Sequence, residues 1–157
     1  MSVAAGMLRT VGLITDYFLA ASDAAAAQHL DTGVYDVGLD PADVLEAKGV
    51  DPFVMLGTLE SMLTPVAYET ISADPTPPVA MGESGEHGVA RVRGTLTSAL
   101  AGLTPERVPE VAAAWGRTEE FGDDPDEAGP AGFLADLTAL ARRATAQDRH
   151  LYCWFSV

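Results

Sequence analysis

The chain carries three histidines, the side chains most often used to bind transition metals or to move protons near neutral pH. His29, His87 and His150 fall on three separate predicted elements. Glu83 and Glu86 lie close to His87, but in a glycine-rich loop, whereas a zinc site needs three or four preorganised ligands. We therefore expect no metal and no cofactor at these histidines.

Cys153 is the single cysteine, so an intrachain disulfide cannot form. It lies in HLYCWFSV, an apolar run that predicts a strand, where a free cysteine usually packs as a small hydrophobic residue. His150 is three residues away and therefore on the opposite face of that strand. We expect an inert thiol. The sequence also contains no serine-nucleophile elbow and no glycine-rich phosphate loop of either common kind.

Asp16 interrupts VGLITDYFLA, a run rich in β-branched and aromatic residues that predicts a strand. A carboxylate buried in such a strand costs free energy unless it is paired. Two interpretations stay open. In the favoured one, Asp16 points to solvent at an alternating position. In the other, it lies in a pocket between sheet and helices, formed by Asp16, Tyr17, Tyr35, His150 and Tyr152, with Trp115 and Trp154 as further aromatic lining.

The segment from Glu119 to Glu127, EEFGDDPDE, has six carboxylates in nine residues. It lacks the glycine and the downstream glutamate at the spacing of a calcium loop. Aromatic side chains set among carboxylates can anchor a basic partner, so we expect a protein-binding surface here. The residues expected to form it are Trp115, Glu119, Glu120, Phe121, Asp123, Asp124 and Asp126.

The formal net charge of −14 at pH 7 restricts the other partners. Affinity for nucleic acid depends on lysine and arginine neutralising phosphates, and anionic lipid surfaces repel an acidic protein. We expect neither partner, and a basic protein instead; the simpler alternative is that the charge only maintains solubility. Arg9, Asp16 and Asp23 interrupt the apolar N-terminal stretch, which argues against a signal peptide and predicts a cytoplasmic protein. Eight arginines against one lysine indicate a bacterium with G+C-rich DNA.

Helix starts are marked by short polar side chains that can accept hydrogen bonds from the free amides of a first turn, often with proline next to them. The predicted helices run from Ser22 or Asp23 to Gly33, from Asp40-Pro41 to Gly49, from Asp51-Pro52 to Thr64, over Thr95–Leu103, over Thr104–Trp115 and over Pro130–Ala146. In the last of these, one apolar stripe is formed by Phe133, Leu137, Leu140, Ala141 and Ala144, as expected for a helix packed on a core.

The two strongest strand signals are near the two ends of the chain, over Val11–Ala20 and His150–Val157. Weaker signals lie at Val34–Leu39 and Val89–Arg93, and the segment Ile71–Gly88, with its prolines and glycines, predicts a surface loop. A chain of 157 residues fits one domain. We predict a single α+β domain over residues 1–157, whose small sheet includes the N- and C-terminal strands and packs on one face against several helices.

The order of these elements resembles that of the YfbM-like proteins, a bacterial family of unknown function. The resemblance is carried by Ile14-Thr15-Asp16-Tyr17-Phe18 in the first strand, by Val50-Asp51 and Leu63-Thr64 around the central helix, by Thr104-Pro105-Glu106, and by the long helix that runs into a terminal strand. It implies an α+β fold. It implies no activity and no site residues.

Two classes of function fit these features. The leading hypothesis is a non-catalytic domain that binds another protein, as an inhibitor, an immunity-type protein or a regulatory factor does. The alternative is a small-molecule-binding protein or enzyme with a pocket between sheet and helices. A deep pocket that holds Asp16 or His150 favours the alternative, and a sheet–helix interface filled by side chains favours protein binding.

The acidic segment provides a first test. Replacing Asp123, Asp124 and Asp126 by Asn should leave the melting temperature unchanged or slightly higher, because like charges are removed without touching the core. A bound calcium would act in the opposite direction, since a ligand held only by the native state stabilises it. Thermal melts of both proteins, with calcium and with chelator, separate the two cases. Calcium stabilisation of the parent alone would mean a metal site.

Overall fold

The computed structural model describes residues 14–31, 40–46, 50–73, 77–118 and 128–156. In these residues, five strands form one antiparallel sheet in the order β2-β1-β5-β4-β3. The strands are β1 (Ile14–Ala20), β2 (Val44–Glu46), β3 (Ala80–Met81), β4 (His87–Arg91) and β5 (His150–Ser156). The helices are α1 (Asp23–Ala27), α2 (Val54–Leu63), α3 (Tyr68–Ser72), α4 (Gly94–Ala101), α5 (Val108–Gly116) and α6 (Ala128–Ala146). The predicted α+β class is confirmed.

The sheet is organised around the pairing of β1 with β5, the two strands with the strongest sequence signals. The register runs from Ile14 opposite Ser156 to Ala20 opposite His150. On its other side β5 pairs with β4, so the backbone of β5 is hydrogen-bonded along both edges. The prediction that the first and last strands share one sheet is therefore confirmed.

The two faces of the sheet are covered very differently. The larger core lies between one face and helices α2, α4, α5 and α6, and it includes Tyr17, Leu19 and Cys153 from the sheet. The smaller cluster on the other face contains Phe18 and Tyr152 and is covered by Ala26 of α1. The expectation of helices on one face thus holds for the long helices, whereas α1 covers the second face.

Several helix termini are built as the sequence predicts. Ser22 caps α1 by accepting a hydrogen bond from the Ala25 amide at 3.1 Å. Asp51 accepts from the amides of Phe53, Val54 and Met55 at 2.8, 2.6 and 3.2 Å, so one carboxylate satisfies three free donors at the start of α2. Asp148, with φ of 53°, makes the left-handed turn after α6.

The segment after Asp40 differs from the prediction. Asp40 does cap a first turn, with its carboxylate on the Ala42 amide at 3.0 Å, but this turn is a single 3-10 turn over Pro41–Asp43. The chain then continues as β2 instead of a helix to Gly49, and Val44 pairs with Phe18. The Asp40-Pro41 pattern favoured helical hydrogen bonds over these residues. They are replaced by the pairing of β2 with β1 and by the contacts of the buried Asp43.

Two further segments differ from the prediction, and a third is untested. Helix α5 begins at Val108 and not at Thr104, because residues 104–107 form a separate turn closed by the Arg107 amide on the Thr104 carbonyl at 3.0 Å. The predicted loop Ile71–Gly88 contains the end of α3 and the hairpin of β3 with β4. The predicted strand Val34–Leu39 lies outside the described residues.

Asp43 joins distant parts of the chain through two arginines. Its carboxylate accepts from Arg143 Nη2 at 2.6 Å, and from Arg149 Nη1 and Nη2 at 3.1 and 3.0 Å. These bonds tie the 3-10 turn that precedes β2 to the end of α6 and to the turn before β5. The hydrogen bonds from Arg149, followed by those from Arg143, lower the pKa of the Asp43 carboxyl below its ordinary value, against the opposing effect of burial.

Replacing Asp43 by Asn should therefore destabilise the protein by about 2 to 3 kcal/mol near neutral pH, because two guanidinium groups lose their charged acceptor. Since the folded-state pKa is lowered, the contribution is fully present above the unfolded pKa of about 4 and is lost as the pH falls through the folded value. Urea unfolding of parent and variant, repeated from neutral to acid pH, measures the difference.

The matched control is Asp136→Asn, an exposed position on α6. It should leave the free energy of unfolding nearly unchanged at every pH. A loss for Asp43→Asn that stays constant down to acid pH would contradict the charged role of this carboxylate.

Candidate functional site

The β1–β5 register decides where the pocket residues expected from the sequence lie. Tyr17 stands opposite Cys153, whereas Asp16 stands opposite Trp154 and Phe18 opposite Tyr152. Because neighbouring residues of a strand point to opposite faces, Tyr17 enters the larger core and Tyr152 enters the smaller cluster. The structure therefore divides the expected pocket between two faces of the sheet.

On the larger face, the two groups with potential reactivity are structural. Tyr17 is fully buried and its hydroxyl donates to the Val50 carbonyl at 2.6 Å. Cys153 is also fully buried, and its thiol donates to the Trp154 carbonyl at 3.6 Å. Burial raises the pKa of both groups well above their ordinary values. The thiol is therefore protonated near neutral pH and is not available as a nucleophile.

The smaller face carries a chain of polar groups. The Tyr152 hydroxyl donates to Asp23 at 2.6 Å, and an Arg91 guanidinium nitrogen lies 3.5 Å from the same carboxylate. A second Arg91 nitrogen donates to His150 Nδ1 at 3.0 Å. Burial, and next the hydrogen bond to Asp23, raise the pKa of Tyr152. His150 and Tyr152 are thus linked through Arg91 and Asp23, two residues that no sequence pattern connects.

Asp16 and Trp115 are placed differently from the sequence-based expectations. Asp16 is only 5% exposed, so the favoured interpretation that it points to solvent is wrong. It has an interaction partner within the protein. Trp115 is fully buried, with its indole nitrogen donating to the Met55 carbonyl at 3.0 Å and its ring against Phe133. Its side chain is a core element and is not presented to a partner.

The remaining candidates cannot be placed. Tyr35 of the pocket alternative, and Glu119, Glu120, Phe121, Asp123, Asp124 and Asp126 of the acidic segment, lie outside the described residues.

A concave feature of the described residues lies between α2, α3 and the end of β4, with a volume of about 200 Å³. We call it the α2–α3 groove. Its apolar wall is formed by Phe53, Val54, Leu56, Tyr68, Ile71 and Leu96. Phe53 and Val54 are 48% and 41% exposed, although both are large and apolar. Gly57 faces the Tyr68 ring closely, since a Cβ atom there would lie 3.1 Å from it.

The polar lining of the groove includes Arg91 and the ion pair of Glu60 with Arg93. Glu60 is 1% exposed, and one of its oxygens accepts from Arg93 Nε at 2.9 Å. Its other oxygen accepts from the Thr95 hydroxyl at 2.8 Å. With both oxygens bound and the charge compensated, this carboxylate fixes α2 against the start of α4 and is poorly suited to act as a general base.

Sequence reasoning missed this groove, although one signal was present. In the helix predicted from Asp51, the sequence places Phe53, Leu56, Leu59, Met62 and Leu63 on one apolar side. Val54 lies outside this stripe, and Phe53 stands just before the first helical residue. Two consecutive large apolar residues at a helix start therefore indicated exposed apolar surface. The partner elements, α3 and Leu96, could not be identified from spacing.

A second, shallow hollow surrounds the imidazole of His87, which lies 3.6 Å from Asp31. Glu83 is also part of its lining. Among the residues that the structure describes, no three histidine, cysteine or acidic side chains are grouped closely enough to hold a metal ion.

Comparison with known proteins identifies no relative: no family model, no curated protein and no solved structure matches this chain. The resemblance to the YfbM-like proteins therefore stays a prediction.

The burial of Cys153 gives a chemical test of the structure. In the native protein near neutral pH, the thiol should react slowly with a disulfide reagent such as Ellman's, because it is fully buried and its pKa is raised. In concentrated guanidinium chloride, the same thiol should react rapidly and to completion, which serves as the control. Rapid stoichiometric labelling of the native protein would contradict this placement.

Proposed function

We propose that this chain acts as a non-catalytic, acidic protein-binding domain, of the inhibitor, immunity or regulatory kind, and that its partner is a basic protein. One observation supports this most: five of the seven arginines in the described residues are bound by acceptors within the protein, whereas many of the described carboxylates are exposed.

Five arginines are held by acceptors within the protein. Arg91 contacts Asp23 and His150, and Arg93 binds Glu60. Arg143 and Arg149 both bind Asp43. The fifth, Arg142, donates to the carbonyls of Ala101, the last residue of α4, and of Leu103, two residues further on. Guanidinium groups used in this way contribute little free donor capacity to a binding surface.

The carboxylates are distributed in the opposite way. Two of the described acids that the arginines hold, Asp43 and Glu60, are buried. Many of the others are exposed, and the exposed group includes Asp40, Glu46, Glu69, Glu83, Glu86, Glu106, Glu110, Asp136 and Asp148. A surface of this kind accelerates encounter with a basic partner and slows encounter with an acidic one.

The same distribution argues against other partners. Phosphate backbones and anionic lipids are attracted by exposed lysine and arginine. No helix in the described part of the chain is long and apolar enough to cross a membrane.

Non-catalytic action is supported by the state of the groups that could react. Tyr17 and Cys153 are buried with raised pKa values, and Glu60 is compensated on both oxygens. The interface between the sheet and the long helices is filled by side chains. The groove that does exist is lined by neither Asp16 nor His150. These features favour protein binding over a catalytic pocket between sheet and helices.

The proposal is tested by affinity capture from cells that naturally contain the protein, at low ionic strength, followed by elution with rising salt. We expect one basic protein, which is then purified and titrated calorimetrically against the chain. Its affinity should fall on the order of tenfold or more as salt rises, because exposed charges are screened.

Two triple variants, each of which removes three negative charges, show whether the acidic segment contacts the partner directly. Asp123→Asn with Asp124→Asn and Asp126→Asn should weaken binding roughly tenfold if the acidic segment contacts the partner. Glu106→Gln with Glu110→Gln and Asp136→Asn changes the charge equally and should weaken binding less, through long-range attraction alone. If no basic protein is retained, or if native mass spectrometry of the protein from its own cells shows a bound small molecule, the proposal is wrong.

A further inference from the structure

The α2–α3 groove has two properties that are typical of a contact site. It is concave and apolar, and it is bordered by large apolar side chains that remain in water: Phe53 at 48% exposed and Val54 at 41%. Grouped apolar residues at the surface are typical of contact sites, whereas single ones carry no such meaning.

We propose that this groove receives one apolar side chain, aliphatic or aromatic, from the basic protein partner. The inference rests on the proposed function, because the charge of the occupant follows from it. Binding energy in protein interfaces is concentrated in a few anchor residues that enter desolvated pockets, with less important contacts around them.

The size of the groove favours a side chain over a free ligand. Pockets for drug-sized molecules and cofactors measure about 300 to 1,000 Å³. The groove, at about 200 Å³, is smaller than this range. An anchor residue needs only a pocket of side-chain dimensions, and the remaining contacts of its protein lie outside the cavity.

The groove is also held in shape before any partner arrives. The Asp51 carboxylate binds three amides at the start of α2, and Glu60 joins the middle of α2 to Arg93 and Thr95. A preformed site avoids part of the entropy that ordering would cost on binding.

An apolar groove alone could receive a side chain from a second copy of this chain or from a different protein. The net charge of the two molecules distinguishes these occupants. A second copy of this chain would have to approach against a net charge of −14 on each molecule. A basic protein meets attraction instead, and can present an apolar residue flanked by lysine or arginine.

The test uses a defined probe: the peptide acetyl-Lys-Lys-Leu-Lys-Lys-amide, with matched peptides in which the central residue is Phe or Ser. Titration is followed by the amide NMR shifts of the isotope-labelled protein. We expect the Leu and Phe peptides to shift Val54, Gly57 and Ile71 in a saturable way. The Ser peptide should shift these amides on the order of tenfold more weakly, because it carries the same charge without the anchor.

Two variants separate apolar docking from charge. Val54→Glu adds a negative charge at the groove, and Met81→Glu adds the same charge on β3, at a residue that is 44% exposed and does not line the groove. If charge alone acts, both bind the Leu peptide at least as tightly as the parent. If the groove takes the anchor, Val54→Glu weakens it about tenfold while Met81→Glu does not. Unchanged melting temperatures establish that both variants are folded.

The outcomes are distinguishable from those for the proposed function. If a basic partner is captured but the peptides shift only the amides of residues with exposed carboxylates, whatever the peptide's central residue, the groove proposal is wrong and the proposed function stands. If no peptide shifts the groove residues, or if sedimentation shows a dimer that Val54→Glu abolishes, the groove proposal is also wrong. Specific Leu and Phe binding without any captured partner would support the groove and leave the basic-partner proposal refuted.

Discussion

The pairing of β1 with β5 is the constraint on which the rest of the structure depends. β5 lies between β1 and β4, with its backbone groups paired on both sides. Most residues of both strands are buried, so both faces of the sheet must be covered. The long helices cover one face, and α1 with the chain that follows it covers part of the other. Trp154 shows how closely that second cover fits, since its indole nitrogen donates to the Leu30 carbonyl at 2.9 Å.

Buried carboxylates form the second constraint. Transferring Asp43 and Glu60 from water to the interior is costly unless charged donors accompany them. Arg143 and Arg149 accompany the first, and Arg93 accompanies the second. The same contacts that hold the elements together also compensate positive charge on partly exposed guanidinium groups. Stability and surface potential are therefore coupled in this protein, and a change at Asp43 would be expected to alter both.

The α2–α3 groove follows from how α2 begins. Asp51 fixes the first turn, and this turn places Phe53 and Val54 at the surface. Phe53 still contacts Phe155 of β5, with ring centroids 5.6 Å apart, so one edge of the groove rests directly on the sheet. Gly57 then allows α3 to approach through Tyr68, because a side chain at that position would press on the ring. The result is an apolar hollow beside the core.

The sequence by itself determined the features that depend on near neighbours: the strands at the two ends, the helix start at Asp51, and the apolar stripe of α6, where Leu137, Leu140, Ala141 and Ala144 are buried as predicted. Only the tertiary structure decided which face each strand residue takes, because alternation gives a period without saying which side meets the core. It placed Tyr17 and Tyr152 on opposite faces, buried Asp16, and turned the residues after Asp43 into a strand. These outcomes depend on contacts between residues as far apart as Asp43 and Arg149, and local spacing carries no information on such contacts.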